Sequence, residues 1–293
     1  TNTGALSWGT YYGGNDDDKG RSIFVSGGNV FVTGITMSTN LPTQSPYQAA
    51  NGGGYDAFIL KFTTAGALSF ATYFGGSFSE YGNSVAADAG GIFLVTGYTE
   101  SADFPKLNPG GVYYDGTYGG VGDGFIAKFS SANALISSTY YGGSDYDECT
   151  GIILDASANV FVSGITGSTN LPVLALAGAY NQATNGGGGL WDVFVLKFNS
   201  AGVRQWATYY GGNNMELNDI QLEHRERGIE VDMSNGDVFI TGLTSSANFP
   251  LLNPGGGSYF RNTFASPGAS DNFIVQFSNT GALIWATLTG ASD

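Results

Sequence analysis

Acidic residues recur in this chain at fixed places. One stands four residues after a Gly-Gly pair in each of four copies, at Asp18, Glu80, Asp147 and Glu216. A second set opens an apolar run, at Asp56, Asp123, Asp192 and Asp271, and extra acids accompany some copies at Asp16, Asp17, Asp145 and Glu148. Two chemistries suit such a pattern. Carboxylates on glycine-rich loops can hold a hard cation such as Ca²⁺, with loop carbonyls and Asn side chains completing the shell. On that reading the metal ligands come from Asp16, Asp18, Asp56, Glu80, Asp123, Asp145, Asp147, Asp192, Glu216 and Asp271. Paired carboxylates can also do the acid and base work of glycoside hydrolysis. Against both stands the recurrence itself, because a site is usually used once and a scaffold feature is used in every copy. The scaffold reading expects Asp56 and its equivalents to accept backbone N–H bonds, as Asx turns do, with the other acid solvated. A complete EF-hand loop is absent.

Other reactive residues are few. His224 is the single histidine, which excludes a multi-histidine zinc site and leaves any His-dependent triad resting on one residue. It lies in the charged segment 213–227, an insertion relative to the other copies that reads as a solvated loop. Cys149 takes the place of Gly20 and Gly82, so it reads as a packed thiol. The hydroxyl-rich corner that ends in Leu41-Pro42, Phe104-Pro105, Leu171-Pro172 and Phe249-Pro250 appears four times. It is expected to close the backbone of a turn, not to supply a nucleophile.

The acids must be positioned by a repeated unit. Gly34, Gly97, Gly164 and Gly242 follow Val-Thr, Val-Ser or Ile-Thr and are spaced roughly 65 residues apart, more before the last. Four short segments rich in β-branched and aromatic residues recur in each unit, bounded by Gly, Asn, Asp and Ser. No stretch keeps a 3.6-residue period, so essentially no helix is expected. Four consecutive antiparallel strands, repeated, predict an all-β fold of β-propeller blades at approximately 20–76, 82–143, 149–212 and 226–290. Residues 5–12 look like a spare fourth strand, so residues 1–293 read as one propeller body or an excerpt of a longer one. The start at Thr1 without Met points the same way, to a processed or excised segment.

The run Tyr-Tyr-Gly-Gly, then acids, then Asn-Val-Phe-Val-Thr-Gly-Ile-Thr-x-Ser-Thr-Asn-Leu-Pro, then Gly-Gly-Gly-Tyr-Asp-Ala-Phe-Ile-Leu-Lys-Phe resembles the SBBP (bacterial β-propeller) repeats. The resemblance covers nearly the whole chain. It implies a propeller fold and an extracellular or cell-surface setting within long modular proteins, and it brings no catalytic residues with it.

Composition bounds the function further. With 10 Lys and Arg against 24 Asp and Glu, the chain lacks the basic footprint that nucleic acid requires. No apolar run is long enough to enter a membrane as a helix. The loops between the second and third strands carry Tyr113, Tyr114, Tyr180, Trp191, Tyr259 and Phe260 among Gly and Asn, which suits a surface glycan or a protein partner. The expectation is therefore a non-enzymatic scaffold or adhesive module, with neighbouring domains or other copies as further partners. The alternatives are a carbohydrate-active enzyme using loop-face carboxylates and a fibre subunit using the spare front strand. The only cofactor to consider is Ca²⁺.

Overall fold

The computed structural model describes residues 3–217, 228–264 and 270–290, and among these there are strands and no helix. The strands form four separate four-stranded antiparallel sheets, the blades of a β-propeller. Blade 1 holds β1 (Asp18–Ser26), β2 (Asn29–Thr36), β3 (Asp56–Thr63) and β4 (Leu68–Phe74), hydrogen-bonded in that order. Blade 2 holds β5 (Glu80–Ala87), β6 (Phe93–Thr99), β7 (Asp123–Phe129) and β8 (Leu135–Tyr141). Blade 3 holds β9 (Asp147–Leu154), β10 (Val160–Thr166), β11 (Asp192–Phe198) and β12 (Arg204–Tyr210). In blade 4 the first strand is split into β13 (Glu216–Leu217) and β14 (Ile229–Val231), both paired with β15 (Val238–Thr244), and β16 (Asp271–Phe277) and β17 (Leu283–Thr289) follow. His224 and most of the 213–227 insertion lie outside the described residues.

The core lies between blades. One face of blade 1 (Phe31, Ile59, Phe70, Phe74) meets Phe93, Val95, Phe125 and Phe129 of blade 2. Leu94, Ile126 and Tyr141 then meet blade 3, and Phe161, Val193 and Trp206 meet blade 4. Central strands covered on both faces have no solvent side, which is why β11 is buried along its whole length. Phe24 of β1 packs against both the blade 1–2 core and the blade 3–4 core, so the first strands converge on a hub.

Three repeated residues now have structural explanations. In blades 1 to 3 the glycine of the second strand faces a bulge in the first: the β5–β6 register slips between Gly82 and Ser84, beside Gly97. A Cβ on Gly97 would fall inside the van der Waals radius of the Tyr81 carbonyl oxygen. The lysine of the third strand reaches the hairpin turn of the next blade, Lys61 Nζ donating to Ser131 O (3.0 Å) and Lys128 Nζ to Ser200 O (2.9 Å). Blade 4 has Gln276 at this place, and its amide turns to Asp237 of its own blade. The fourth-strand tyrosine pins the hydroxyl-rich corner: Tyr209 Oη accepts from Leu171 N (2.7 Å) and donates to Ser168 O (2.8 Å). Tyr209→Phe leaves two buried backbone groups without their partner. It is expected to cost about 1–3 kcal/mol, measured as a lower urea midpoint at unchanged slope.

The outer edge of each blade is covered by its own chain. The connection from second to third strand runs back along the fourth strand, giving the bridges Gln44–Ala71, Leu107–Ser138, Leu174–Ala207 and Leu252–Ala286. Such covering removes the row of free N–H and C=O groups that invites edge-to-edge association.

The front segment departs from expectation. Residues 5–12 are not a strand. Instead Trp8 Nε1 donates to Thr64 O, its ring lies on Gly66 and Phe62, and Tyr12 Oη donates to Pro42 O. These are the contacts that Trp206 makes with Asn279 and Gly281, and Tyr210 with Pro250, at the boundary between blades 3 and 4. The segment thus fills the place of a preceding fourth strand without the sheet neighbour that would make it one.

Candidate functional site: the loop face

First and third strands begin, and second strands end, on one face of the molecule, so both sets of repeated acids gather there. They pair across blade boundaries, not within a blade as a per-blade cation site would require. Asp56 of blade 1 meets Glu80 of blade 2, and both carboxylates crowd the spot that a Cβ on Gly75 would take. Asp123 meets Asp147 in the same way under Gly142, and Asp192 meets Glu216 under Gly211.

Every member of these pairs is buried, which corrects the expectation that the acids following Gly-Gly are solvated. Their partners explain the burial. Glu80 accepts from Gly76 N (2.7 Å) and Thr99 Oγ1 (2.6 Å), and Asp147 accepts from Gly143 N and Ser168 Oγ. Gly212 N and Thr244 Oγ1 do the same for Glu216. Asp56, Asp123 and Asp192 accept from Gly52, Gly119 and Gly186 N, the loop-fixing role expected of them. One oxygen of each is left over: the Oδ1 atoms of Asp56, Asp123, Asp147 and Asp192 are buried with no hydrogen-bond partner.

Two acids facing each other in a dry junction hold on to a proton. Burial, reinforced by Glu80, pushes the Asp56 carboxyl up to about 7. Burial and Asp147 do the same for Asp123, and burial raises Glu80, Asp192 and Glu216 as well. Asp18 accepts from Gly14 N and Ser38 Oγ, and Asp271 faces the Arg261 guanidinium at 3.6 Å. Asp16 and Asp145 are exposed. Among the described residues no three His, Cys, Asp or Glu side chains converge on one point.

The aromatic loop residues fall into two groups. Tyr113 packs on Tyr141 and on Phe198 of the next blade, with Arg204 over its ring, and Tyr180 packs on Tyr210 and on Phe277 of the next blade. Both are inter-blade packing. Tyr114 and Phe260 are half-buried, and Tyr259, at the place of Tyr113 and Tyr180, is exposed. Trp191 belongs elsewhere. It stacks on Tyr146 (5.3 Å), Tyr146 stacks on Tyr98 (5.0 Å), and Tyr98 stacks on Tyr81 (5.6 Å). Tyr81 meets Tyr55 edge-on (5.9 Å) and takes the Arg21 guanidinium over its ring at 4.9 Å.

This aromatic ladder crosses three blades on the loop face, and of its members only Tyr55 and Trp191 occupy equivalent positions. Tyr98 lies across Gly122, which has no side chain where blades 1 and 3 carry Tyr55 and Trp191. Hydrogen bonds fix the phenols, Tyr98 to Glu100 and Tyr146 to the buried Glu148, whose other oxygen accepts from Asn83. Sequence reading reached Trp191 but not Tyr55, Tyr81, Tyr98 or Tyr146. The available signal was that each stands next to a strand end on this face, and that the counterparts of Tyr81, Tyr98 and Tyr146 in other units are not aromatic. Cys149, by contrast, is fully buried with its thiol pushed up to about 12, the packed residue expected. Comparison of the chain with protein-family models and with curated proteins gives no match in either.

Proposed function

We propose that this chain is a non-enzymatic β-propeller module of an extracellular or cell-surface bacterial protein, a scaffold whose loop face binds a glycan through the aromatic ladder. The ladder carries the proposal. Rings stacked on one another and tied at their phenols are rigid before any ligand arrives, so little conformational entropy is lost on binding. Aromatic edges beside Glu100 offer apolar contact and a hydrogen-bond acceptor together, as sugar recognition requires. The repeated acids lend no such support, because each is already committed to backbone and hydroxyl donors. The low lysine content and the resemblance to SBBP repeats agree with a surface setting. The test is a printed array of purified polysaccharides, probed with wild-type protein and with Tyr55→Ala and Trp191→Ala. Expected is binding to at least one polysaccharide that weakens by about fivefold in both variants, since stacked aromatics contribute about 1 kcal/mol each. No binding by the wild type, or equal binding by both variants, would refute the reading.

A further inference from the structure

At each blade boundary the third-strand lysine crosses to the hairpin turn of the next blade. Lys61, Lys128 and Lys197 donate to the backbone carbonyls of Ser131, Ser200 and Asn279, which hold the same place in their turns. The last boundary differs in what that place carries. Where the other turns have Thr64, Ser131 and Ser200, blade 4 has an asparagine, and Lys197 Nζ lies against its side-chain Oδ1 as well. The ammonium is thus seated beside Cγ, the carbon to which Oδ1 is bonded.

Two carboxylates hold this asparagine. Asp155, in the turn between β9 and β10, accepts from Asn279 Nδ2 through Oδ2 (3.4 Å), and its Oδ1 is fixed by Ser157 N and Asn159 N. Asp237 of blade 4, standing where blades 1 and 3 have Asn29 and Asn159, accepts from Asn279 N (3.2 Å). Lys197, Asp155 and Asp237 are buried, and the lysine nitrogen lies over the Phe161 ring at 5.1 Å. Burial pulls the Lys197 amine below its ordinary pKa, an effect that Asp155 partly offsets. An amine that sheds its proton more easily and is held against an amide carbonyl is a nucleophile already in position. At the first boundary the arrangement is incomplete. Lys61 lies 3.4 Å from Asn133 Oδ1, but among the described residues no carboxylate accepts a hydrogen bond from that amide.

We propose that Lys197 and Asn279 join in an isopeptide bond across the boundary between blades 3 and 4, with Asp155 carrying the protons. The Lys197 ammonium passes one proton to Asp155, and the free amine attacks Cγ. As the Nζ–Cγ bond forms and the Cγ–Nδ2 bond breaks, the proton held by Asp155 and a second one shed by Nζ end on Nδ2, which leaves as ammonium. Asp155 finishes as the carboxylate it was, and no co-reactant is consumed. Asn279 is half-buried, so the ammonium has a way out to solvent. The bond ties β11 to the β16–β17 turn, 82 residues further along the chain, and so secures the one blade whose first strand is split. The inference is independent of the glycan reading, since it concerns the turns opposite the loop face.

The experiment is intact-mass spectrometry and peptide mapping of the purified full chain, as wild type, Lys197→Arg and Asp155→Asn. Expected is a wild-type mass one NH₃ below that of the sequence, with a protease digest that holds a branched peptide joining Lys197 to Asn279. Lys197→Arg keeps the cation and its bond to the turn but cannot form the amide, so it should fold and stay at its sequence mass. Asp155→Asn keeps the shape and loses the proton carrier, which contributes about a hundredfold or more in rate, so it too should stay at its sequence mass when purified alongside the wild type. A wild type at its full sequence mass, or one that has lost NH₃ without a branched peptide, would overturn the proposal. So would an Asp155→Asn chain cross-linked as fully as the wild type.

Discussion

Raising the pH from 5 to 8 in EDTA-containing buffer is expected to lower the thermal midpoint of this protein by about 5 °C or more. The sign follows from the junction pairs. Asp56 has its carboxyl raised to about 7 in the folded chain by burial and by Glu80, and burial raises Asp192 as well. A carboxyl whose proton is held more tightly in the folded state contributes stability that is fully present below its unfolded pKa of about 4 and is lost as the pH climbs through the folded value. The window is therefore pH 4 to 7, with the loss complete near pH 8. Moving one carboxyl from the ordinary range to about 7 is worth at most about 4 kcal/mol, and relaxation of the junction reduces this. A variant identifies the source. Asp56→Asn keeps the acceptor for Gly52 N, cannot ionise, and can donate to Glu80. It is expected to be more stable than the wild type at pH 8 and to flatten the pH profile. Thermal unfolding at half-unit pH steps measures both effects.

Gly97→Ala should destabilise the chain by about 3 kcal/mol or more, enough to remove much of the folded population at 37 °C. Its added methyl would run into the Tyr81 carbonyl oxygen and meet the Phe125 ring at 2.9 Å. Neither can move freely. The carbonyl belongs to the bulged first strand, and Phe125 is fully buried between Phe74 and Phe104. Gly34 and Gly164 face the carbonyls of Lys19 and Glu148 in the same way, so the cost should recur in blades 1 and 3. Gly110→Ala is the control. Its Cβ would meet nothing within 4 Å, but its φ of +81° strains any other residue, so a cost of about 1 kcal/mol is expected there. Chemical denaturation of the Gly34, Gly97, Gly164 and Gly110 alanine variants ranks them.

These effects also show what a sequence can and cannot disclose here. The third strands were legible to the residue, because an aspartate followed by an unbroken apolar run is what a doubly covered strand must look like. The glycines of the second strands were legible too, since each keeps its place in unit after unit, and Cys149 was legible as a packed thiol because it stands where other units have Gly20 and Gly82. The pairing of Asp56 with Glu80 was not. The two sit in different blades, and each reads in isolation as a loop acid open to water; only the stacking of blades brings them together. Residues 5–12 carried the residue types of a strand but not the neighbour, and a strand is defined by its hydrogen-bonded partner. The ladder was hidden for a related reason. Tyr55, Tyr81, Tyr98, Tyr146 and Trp191 come from five strand ends, and only Tyr55 and Trp191 share a place in the unit, so comparison of equivalent positions passes over the rest.

The central claim is that the repeated acids are scaffold, paired and dry between blades, so that binding is left to what the blades do not share. The side-chain carboxyl carbons of Asp56 and Glu80 can be followed directly by ¹³C NMR from pH 4 to pH 9 without divalent cations. A midpoint for Asp56 near 7, moving down when Glu80 is replaced by Gln, is the result expected of a buried pair. Independent titration of both groups near pH 4, as solvated loop acids would show, would contradict it.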